Sequence, residues 1–313
     1  MRGAWPRTLS VVVPVFDEEA NVEALVRETL EALRPLGLRF ELVLVDDGSR
    51  DGTFAALRRI QAGTPELAIV RLRRNFGQTP ALQAGIDRAR GEVIVTMDGD
   101  LQNDPRDIPR LLERIRGGAD VVSGWRRTRR DRFLTRTLPS WLANRLIRRV
   151  TGVSVHDQGC SLKAWRGDVI RGLHLYSDLH RFIVVLTLPL GAAIEEVEVN
   201  HRPRRAGRSK YGLGRVAKVV ADLATVRMLV GVRERPTRWF GRLGAPFLGA
   251  SLACAAASVW LWGDSVVLPT LSLLFALNFA FCVFAGLLGE SFVALASRSS
   301  RAPLAARESR GNP

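Results

Sequence analysis

Two long runs without a charged residue lie close together near the C-terminal end of this chain. They occupy residues 243–262 and 266–289, parted by Gly263-Asp264-Ser265. A helix needs about 20 apolar residues to cross the roughly 30 Å hydrocarbon core of a bilayer. Backbone polar groups in lipid must be satisfied within the protein, and a helix does this within one segment. The runs therefore predict a transmembrane helical hairpin. A buried helix pair in a soluble core is the alternative, but two uninterrupted runs of this length rarely belong to one. Pro246 and Pro269 do not oppose the reading, since proline is tolerated in membrane helices. Trp239, Trp260 and Trp262 fall where an interfacial aromatic belt would lie. Arg233, Arg235, Arg238 and Arg242 precede the first run, Arg298 and Arg301 follow the second, and the short connection has no Lys or Arg. The positive-inside rule then predicts both ends in the cytoplasm. The polar tail, 298–313, reads as disordered.

A different regime fills residues 8 to 200, where strand-like and helix-like patterns alternate, as in an α/β layer fold. Strands are predicted at 9–15, 40–45, 67–72, 92–97 and 120–124. Helical spacing of apolar residues predicts helices at 18–33, 53–61, 80–90 and 107–116. With 47% hydrophobic residues among 313, a sizeable core is expected. Lys and Arg number 46 against 31 Asp and Glu, a formal net charge of +15 that attracts polyanions. No basic stripe interleaved with aromatics, zinc finger or helix-turn-helix pattern accompanies it, so nucleic acid is not an expected partner. Cys160, Cys254 and Cys282 have no metal spacing and form no disulfide framework. Two further stretches, 138–150 and 216–232, combine apolar residues with Arg and Lys. They read either as helices lying on anionic lipid or as amphipathic helices packed on the domain.

The chemistry gathers at strand ends. Pro14-Val15-Phe16-Asp17-Glu18 closes the first strand, Asp46-Asp47-Gly48-Ser49 the second, and Asp98-Gly99-Asp100 follows the fourth. In open α/β sheets ligands bind beyond the carboxyl ends of strands. Two carboxylates one residue apart can lean on one hard cation, Mg²⁺ or Mn²⁺, of the kind that stays bound to substrate phosphate. A single acidic strand end is usually a helix cap. Three together, one of them metal-like, point to a nucleotide-diphosphate site.

These motifs resemble the family 2 glycosyltransferases of GT-A fold, and within them the polyprenyl-phosphate glycosyltransferases that serve dolichyl and undecaprenyl phosphate. The resemblance rests on Pro14-Val-Phe-Asp-Glu18, Asp46-Asp-Gly-Ser49, Asn75-Phe-Gly-Gln78, Met97-Asp-Gly-Asp-Leu-Gln102, Asp157-Gln-Gly-Cys-Ser-Leu-Lys163 and Arg205-Ala-Gly-Arg-Ser-Lys-Tyr211. It implies a GT-A domain with a mixed, mostly parallel sheet over residues 1–213. An interfacial helix and linker, 214–237, and the hairpin, 238–297, follow. It implies that Pro14, Phe16, Glu18, Asp46 and Asp47 surround the nucleoside, with Asp98 also on the nucleotide sugar. Asp98, Asp100 and Gln102 are implied as ligands of Mg²⁺ or Mn²⁺, and Asp100 and Asp157 as catalytic residues. Arg126, Arg202, Ser209 and Lys210 are implied near the phosphates of donor and acceptor. The family usually has Tyr-Asn where this chain has Phe16-Asp17, so the base is less defined. Arg205–Tyr211 has the Gly and basic content of a lid over phosphate.

The function so implied is inverting transfer of a sugar from a nucleotide-diphosphate donor to a polyprenyl phosphate, at the inner membrane of a bacterium. Partners would be that donor, that acceptor, the bilayer and, as an open alternative, further copies of the chain. An acceptor phosphate is already anionic near neutral pH, because its second pKa is about 6. Whether Asp157 deprotonates or positions is therefore open. The competing classes are a processive polysaccharide synthase, which usually carries a Gln-x-x-Arg-Trp motif and more membrane helices, a transporter, a nucleotidyltransferase and a non-catalytic membrane scaffold of the same fold.

Overall fold

The β-branched runs form strands because their side chains pack on both faces of a sheet. The structure is a computed structural model that describes residues 6–127, 155–173, 175, 182–203, 235–260 and 266–299. Its elements are β1 (Thr8–Val15), α1 (Glu19–Leu33), β2 (Arg39–Asp46), α2 (Thr53–Gln61), β3 (Leu67–Arg71), α3 (Gln78–Arg88), β4 (Val93–Thr96), α4 (Ile108–Arg116), β5 (Val121–Trp125), β6 (Lys163–Arg166), α5 (Gly167–Arg171), α6 (Ile183–Leu186), β7 (Ile194–Glu198), α7 (Pro236–Trp260) and α8 (Val267–Ser299). The first nine correspond to predicted elements within a few residues. β6, α5, α6 and β7 are additions. Lys-Ala-Trp-Arg is too short to show a period, and Ile-Glu-Glu-Val-Glu carries its charge at a sheet edge.

Among the described residues the sheet has seven strands in the order β3-β2-β1-β4-β6-β5-β7. β1 pairs in parallel with β2 and β4, β2 with β3, and β5 with β7. Only β6 runs against its neighbours, β4 and β5. The sheet is mixed and mostly parallel, as expected. The chain winds outward from β1 to β3, then returns to the other side of β1 at β4. That reversal opens a crevice beyond the carboxyl ends of β1 and β4. One face carries Leu9, Val11 and Val13 of β1, Leu42 and Leu44 of β2 and Val95 of β4 against Val22, Leu25 and Val26 of α1. This core fixes the sheet edge on which the acidic turns are mounted.

The chain divides into two units, Met1–Val226 and Arg227–Pro313. In the second, α7 and α8 pair closely. A Cβ on Gly244 would lie 3.0 Å from Cys282, and Ser251 and Ser272 each donate a hydroxyl to the other's carbonyl, at 2.8 and 3.0 Å. Glu290 of α8 accepts the Thr237 hydroxyl at 2.8 Å. Mean hydropathy is 1.5 for the first helix and 2.3 for the second, and only 11% of the most apolar stretch of each is buried. A soluble core helix is mostly buried; here Trp260 is 87% exposed, and Leu252, Leu277, Phe281 and Phe292 also face outward. Both helices are long and apolar enough to cross a bilayer. They extend beyond the charge-free runs, to Pro236 at one end and Ser299 at the other. Stretches 138–150 and 216–232, the 205–211 segment with Ser209 and Lys210, Trp262 and tail residues 300–313 lie outside the described residues.

Candidate functional site

The turn after β4 is built around a backbone that few side chains accept. Leu101 has φ +61°, in the left-handed region. Its side chain packs into the core while Asp100 and Gln102 stay at the strand end. Gly99 lies so close to β1 that a Cβ there would sit 2.7 Å from Val15 Cγ1. Asp100 is buried and accepts the Gln102 amide at 3.2 Å. Asp98 accepts the side-chain amide of Gln78 at 2.7 Å, and its own N–H donates to Asn103 Oδ1 at 3.1 Å. Burial, and then the charge of Asp100, push the Asp98 carboxyl above its ordinary range; Ser161, Arg126 and Lys163 oppose the shift.

β1 and β2 bring the other acidic turns to the same sheet edge. Asp17 is left-handed, φ +54°, which Asp tolerates better than most residues. Its carboxylate accepts the Arg50 amide at 2.8 Å, and its N–H donates to Ser49 Oγ at 3.0 Å. Glu18 accepts the Asn21 side-chain amide at 2.6 Å, and Pro14 and Phe16 are half-buried beside it. Asp46 accepts the Ser49 N–H at 2.9 Å and pairs with Arg71 at 3.4 Å. Asp47 accepts two backbone amides, Phe76 at 2.8 Å and Gly77 at 2.9 Å. Burial raises the Asp47 pKa, opposed by those two hydrogen bonds. Gly48, at φ +69°, allows this closeness: a Cβ would stand 2.4 Å from the Arg74 carbonyl carbon. The Asp47 hydrogen bonds thus fasten the turn after β2 to the loop that delivers Gln78 to Asp98.

Asp157 differs. It is 2% exposed and held by Arg126 through a two-pronged fork, Nε at 2.7 Å and a terminal nitrogen at 3.0 Å. Burial disfavours the Arg126 charge, but Asp157 outweighs it and the guanidinium pKa rises. Lys163 lies beneath this pair, 4% exposed, and donates to the carbonyls of Gln158, at 3.2 Å, and Cys160. Burial pulls its pKa down, while Cys160, Asp157 and Asp98 resist. In register it stands between Thr96 of β4 and Ser123 of β5. Sequence reasoning assigned no role to Lys163 or Gln78, though both lie within quoted motifs. Arg202 is held at another place: its guanidinium pairs with Glu28 and, at 2.6 Å, with Asp104.

The residues present fit a divalent cation. Two crowded carboxylates, one shifted upward by burial and by the other, form an electrostatic condition that a cation relieves. Gln102 donates its side-chain N–H to the Arg202 carbonyl at 3.5 Å, which orients its amide oxygen away from that contact. Among the described residues no three of His, Cys, Asp or Glu form a metal cluster, so substrate oxygens or water would complete the shell.

The sequence profile of Glycosyl transferase family 2 matches residues 10–173. The chain is 45% identical to a dodecaprenyl-phosphate galacturonate synthase of Rhizobium johnstonii, over 83% of this chain and 77% of that protein. It is 36% identical to an undecaprenyl-phosphate 4-deoxy-4-formamido-L-arabinose transferase of Shewanella sediminis, over 90% and 86%. Among solved structures, glucosyl-3-phosphoglycerate synthase from Mycobacterium tuberculosis in complex with Mn²⁺, UDP and phosphoglyceric acid shares the fold. The TM-score is 0.57 at 23% identity, covering 72% of this chain and 84% of that one.

Proposed function

Because this chain belongs to glycosyl transferase family 2 and has the GT-A fold, we propose that it is a membrane-bound, inverting transferase acting on a polyprenyl phosphate. A nucleotide-diphosphate sugar is the donor. The acceptor follows from the two relatives just named, both described as polyprenyl-phosphate enzymes, and from the apolar hairpin, which keeps the chain at the bilayer where such a lipid resides. Both termini and the GT-A unit are cytoplasmic in this reading, by the flanking arginines. The carrying observation is the crowded Asp98–Asp100 pair at the sheet's topological switch point, held by Gln78 and the Leu101 turn.

In the reaction an acceptor phosphate oxygen attacks the sugar C1 from the side opposite the diphosphate. The C1–O bond breaks, its electron pair leaves with the nucleoside diphosphate, and the configuration inverts. No proton need be removed from an acceptor that is already a phosphate dianion. Pro14, Phe16, Glu18, Asp46 and Asp47 line the nucleoside end. Asp98, Asp100 and Gln102 would hold a divalent cation, Mg²⁺ or Mn²⁺, which when bound supplies positive charge at the departing diphosphate. Asp157 orients Arg126, whose remaining N–H groups face phosphate; a carboxylate held in a two-pronged ion pair is a poor base. Ser209 and Lys210 complete the phosphate contacts in this reading.

The test uses the full-length protein in lipid nanodiscs, undecaprenyl phosphate and a panel of nucleotide sugars that includes the uridine diphosphate of galacturonate. Mass spectrometry should find a lipid-linked sugar, lost on complete chelation and restored by Mn²⁺, and nuclear magnetic resonance of the product should show the inverted anomeric configuration. Release of free sugar with every donor and no lipid product would remove the acceptor assignment.

A further inference from the structure

The segment 200–203 runs beside the turn that follows β4 and is stitched to it along its length. The Asn200 amide donates to Asp107 at 2.7 Å and its side chain to the other oxygen at 3.1 Å. His201 and Asn103 form an isolated antiparallel bridge. The Arg202 N–H donates to the Gln102 carbonyl at 2.9 Å, and the Gln102 side chain returns a bond to the Arg202 carbonyl. The Arg202 guanidinium then closes the stitch, pairing with Glu28 of α1 on one side and Asp104 on the other. Asp104 is further held by a fork from Arg106. Although burial raises the Asp104 carboxyl, the Arg106 and Arg202 hydrogen bonds hold it down to about 2. A charged chain Glu28–Arg202–Asp104–Arg106 therefore ties α1, the 200–203 segment and the root of the Asp98–Gln102 turn together.

We propose that Arg202 is a positioning residue for that turn: it fixes Gln102, through the backbone pair and the Glu28–Arg202–Asp104 bridge, and does not itself grip substrate phosphate. The inference rests on the reading of Asp98, Asp100 and Gln102 as cation ligands. The glycosyl acceptor plays no part in it. Arg202 has little freedom to reach a ligand, since detaching it leaves the nearly buried Asp104 carboxylate with one partner fewer. Glu28 lies on α1 and pairs with the same guanidinium that holds Asp104. Glu28→Gln should therefore reproduce the loss of Arg202.

Compare wild type, Arg202→Met, Arg202→Lys, Glu28→Gln and the Met/Gln double variant as full-length protein in nanodiscs. Two measurements apply: Mn²⁺ binding by electron paramagnetic resonance of the free ion, and hydrogen exchange of amides 98–107 without ligand. The proposal expects Arg202→Met and Glu28→Gln each to weaken Mn²⁺ binding about tenfold and to speed exchange across the turn. The double variant should be no worse than either single one, and Arg202→Lys should recover part of both effects. Two results would overturn it: Arg202→Met weakens Mn²⁺ binding while Glu28→Gln changes nothing, or exchange across 98–107 is the same in all variants. If wild type binds no Mn²⁺, the cation reading fails. The exchange data still decide whether Arg202 sets the turn.

Discussion

Two of the carboxylate turns at this sheet edge are neutralised in opposite ways. Asp157 is owned by Arg126 through two hydrogen bonds, with a buried lysine below. Asp98 has a neutral amide from Gln78 and another carboxylate two residues away, and its pKa is driven up. Burial of a charge is tolerated only with a partner. The first turn has its partner within the chain. The second has cations only at longer range, and its shortfall is what a divalent ion and a diphosphate would meet. In the proposed reading the contrast separates a residue that binds a ligand from one that holds another residue still.

The sharpest way to break the comparison is to remove the Asp98–Asp100 crowding. Asp100→Asn keeps the shape and the Gln102 amide contact. Transfer from donor to polyprenyl phosphate should fall about 10³-fold, with far-ultraviolet circular dichroism unchanged. Retention of more than a tenth of wild-type kcat would show that the pair does not carry the chemistry.

Asp157→Asn asks whether the second turn has a different task. A positioning role predicts a fall of about 10²-fold in kcat/KM with the pH profile keeping its shape. A base would lose the acid limb of that profile altogether. The variant also leaves Arg126, 17% exposed, without its counter-charge. Loss of one partner of a buried pair costs about 3–5 kcal/mol, so chemical denaturation should show it clearly.

Gln78→Leu tests the smaller support on the other side. Removing the amide leaves Asp98 with less to hold its orientation. Mn²⁺ affinity should weaken about tenfold, while kcat at saturating metal changes less. Equal losses in both would mean that Gln78 touches substrate.

Much of this was legible in the sequence, and the rest was hidden for physical reasons. β1, β2 and β4 announced themselves as β-branched runs ending in acid, so the crevice was predictable before the topology was known. Asp98 and Asp100 were legible because one intervening residue constrains two side chains to one turn. β6 was not: four residues carry no period, and its place between β4 and β5 depends on pairings between residues far apart in the chain, such as Thr96 with Lys163 and Ser123 with Lys163. Lys163 shares that fate, since a lysine in a short strand reads as solvent-exposed until its neighbours are known. Arg202 was predicted near phosphate by motif position, and its pairing with Glu28 and Asp104 spans separations that no local pattern encodes.

The smallest expected effect sharpens the comparison through stability rather than rate. Asp98 has a folded pKa raised above 3.8, so its ionisation opposes folding. That penalty is absent below 3.8, grows as pH rises through the folded pKa and is fully present above it. Asp104 is the reverse, held down to about 2 by Arg106 and Arg202 despite burial. Its stabilisation is fully present above 3.8 and is lost as pH falls through about 2. In metal-free protein near neutral pH, Asp98→Asn should therefore raise Tm by a few degrees, and Asp104→Asn should lower it. The gain from Asp98→Asn should shrink as pH is lowered toward 3.8, where the native carboxylate also becomes neutral. Mn²⁺ with nucleoside diphosphate should reverse the order, stabilising wild type and leaving Asp98→Asn unmoved, because a ligand that binds only the folded state adds RT ln(1 + [L]/Kd). A wild-type Tm indifferent to Mn²⁺ and nucleotide would mean that the Asp98 turn is simply a strained loop, and that the two turns differ in burial rather than in purpose.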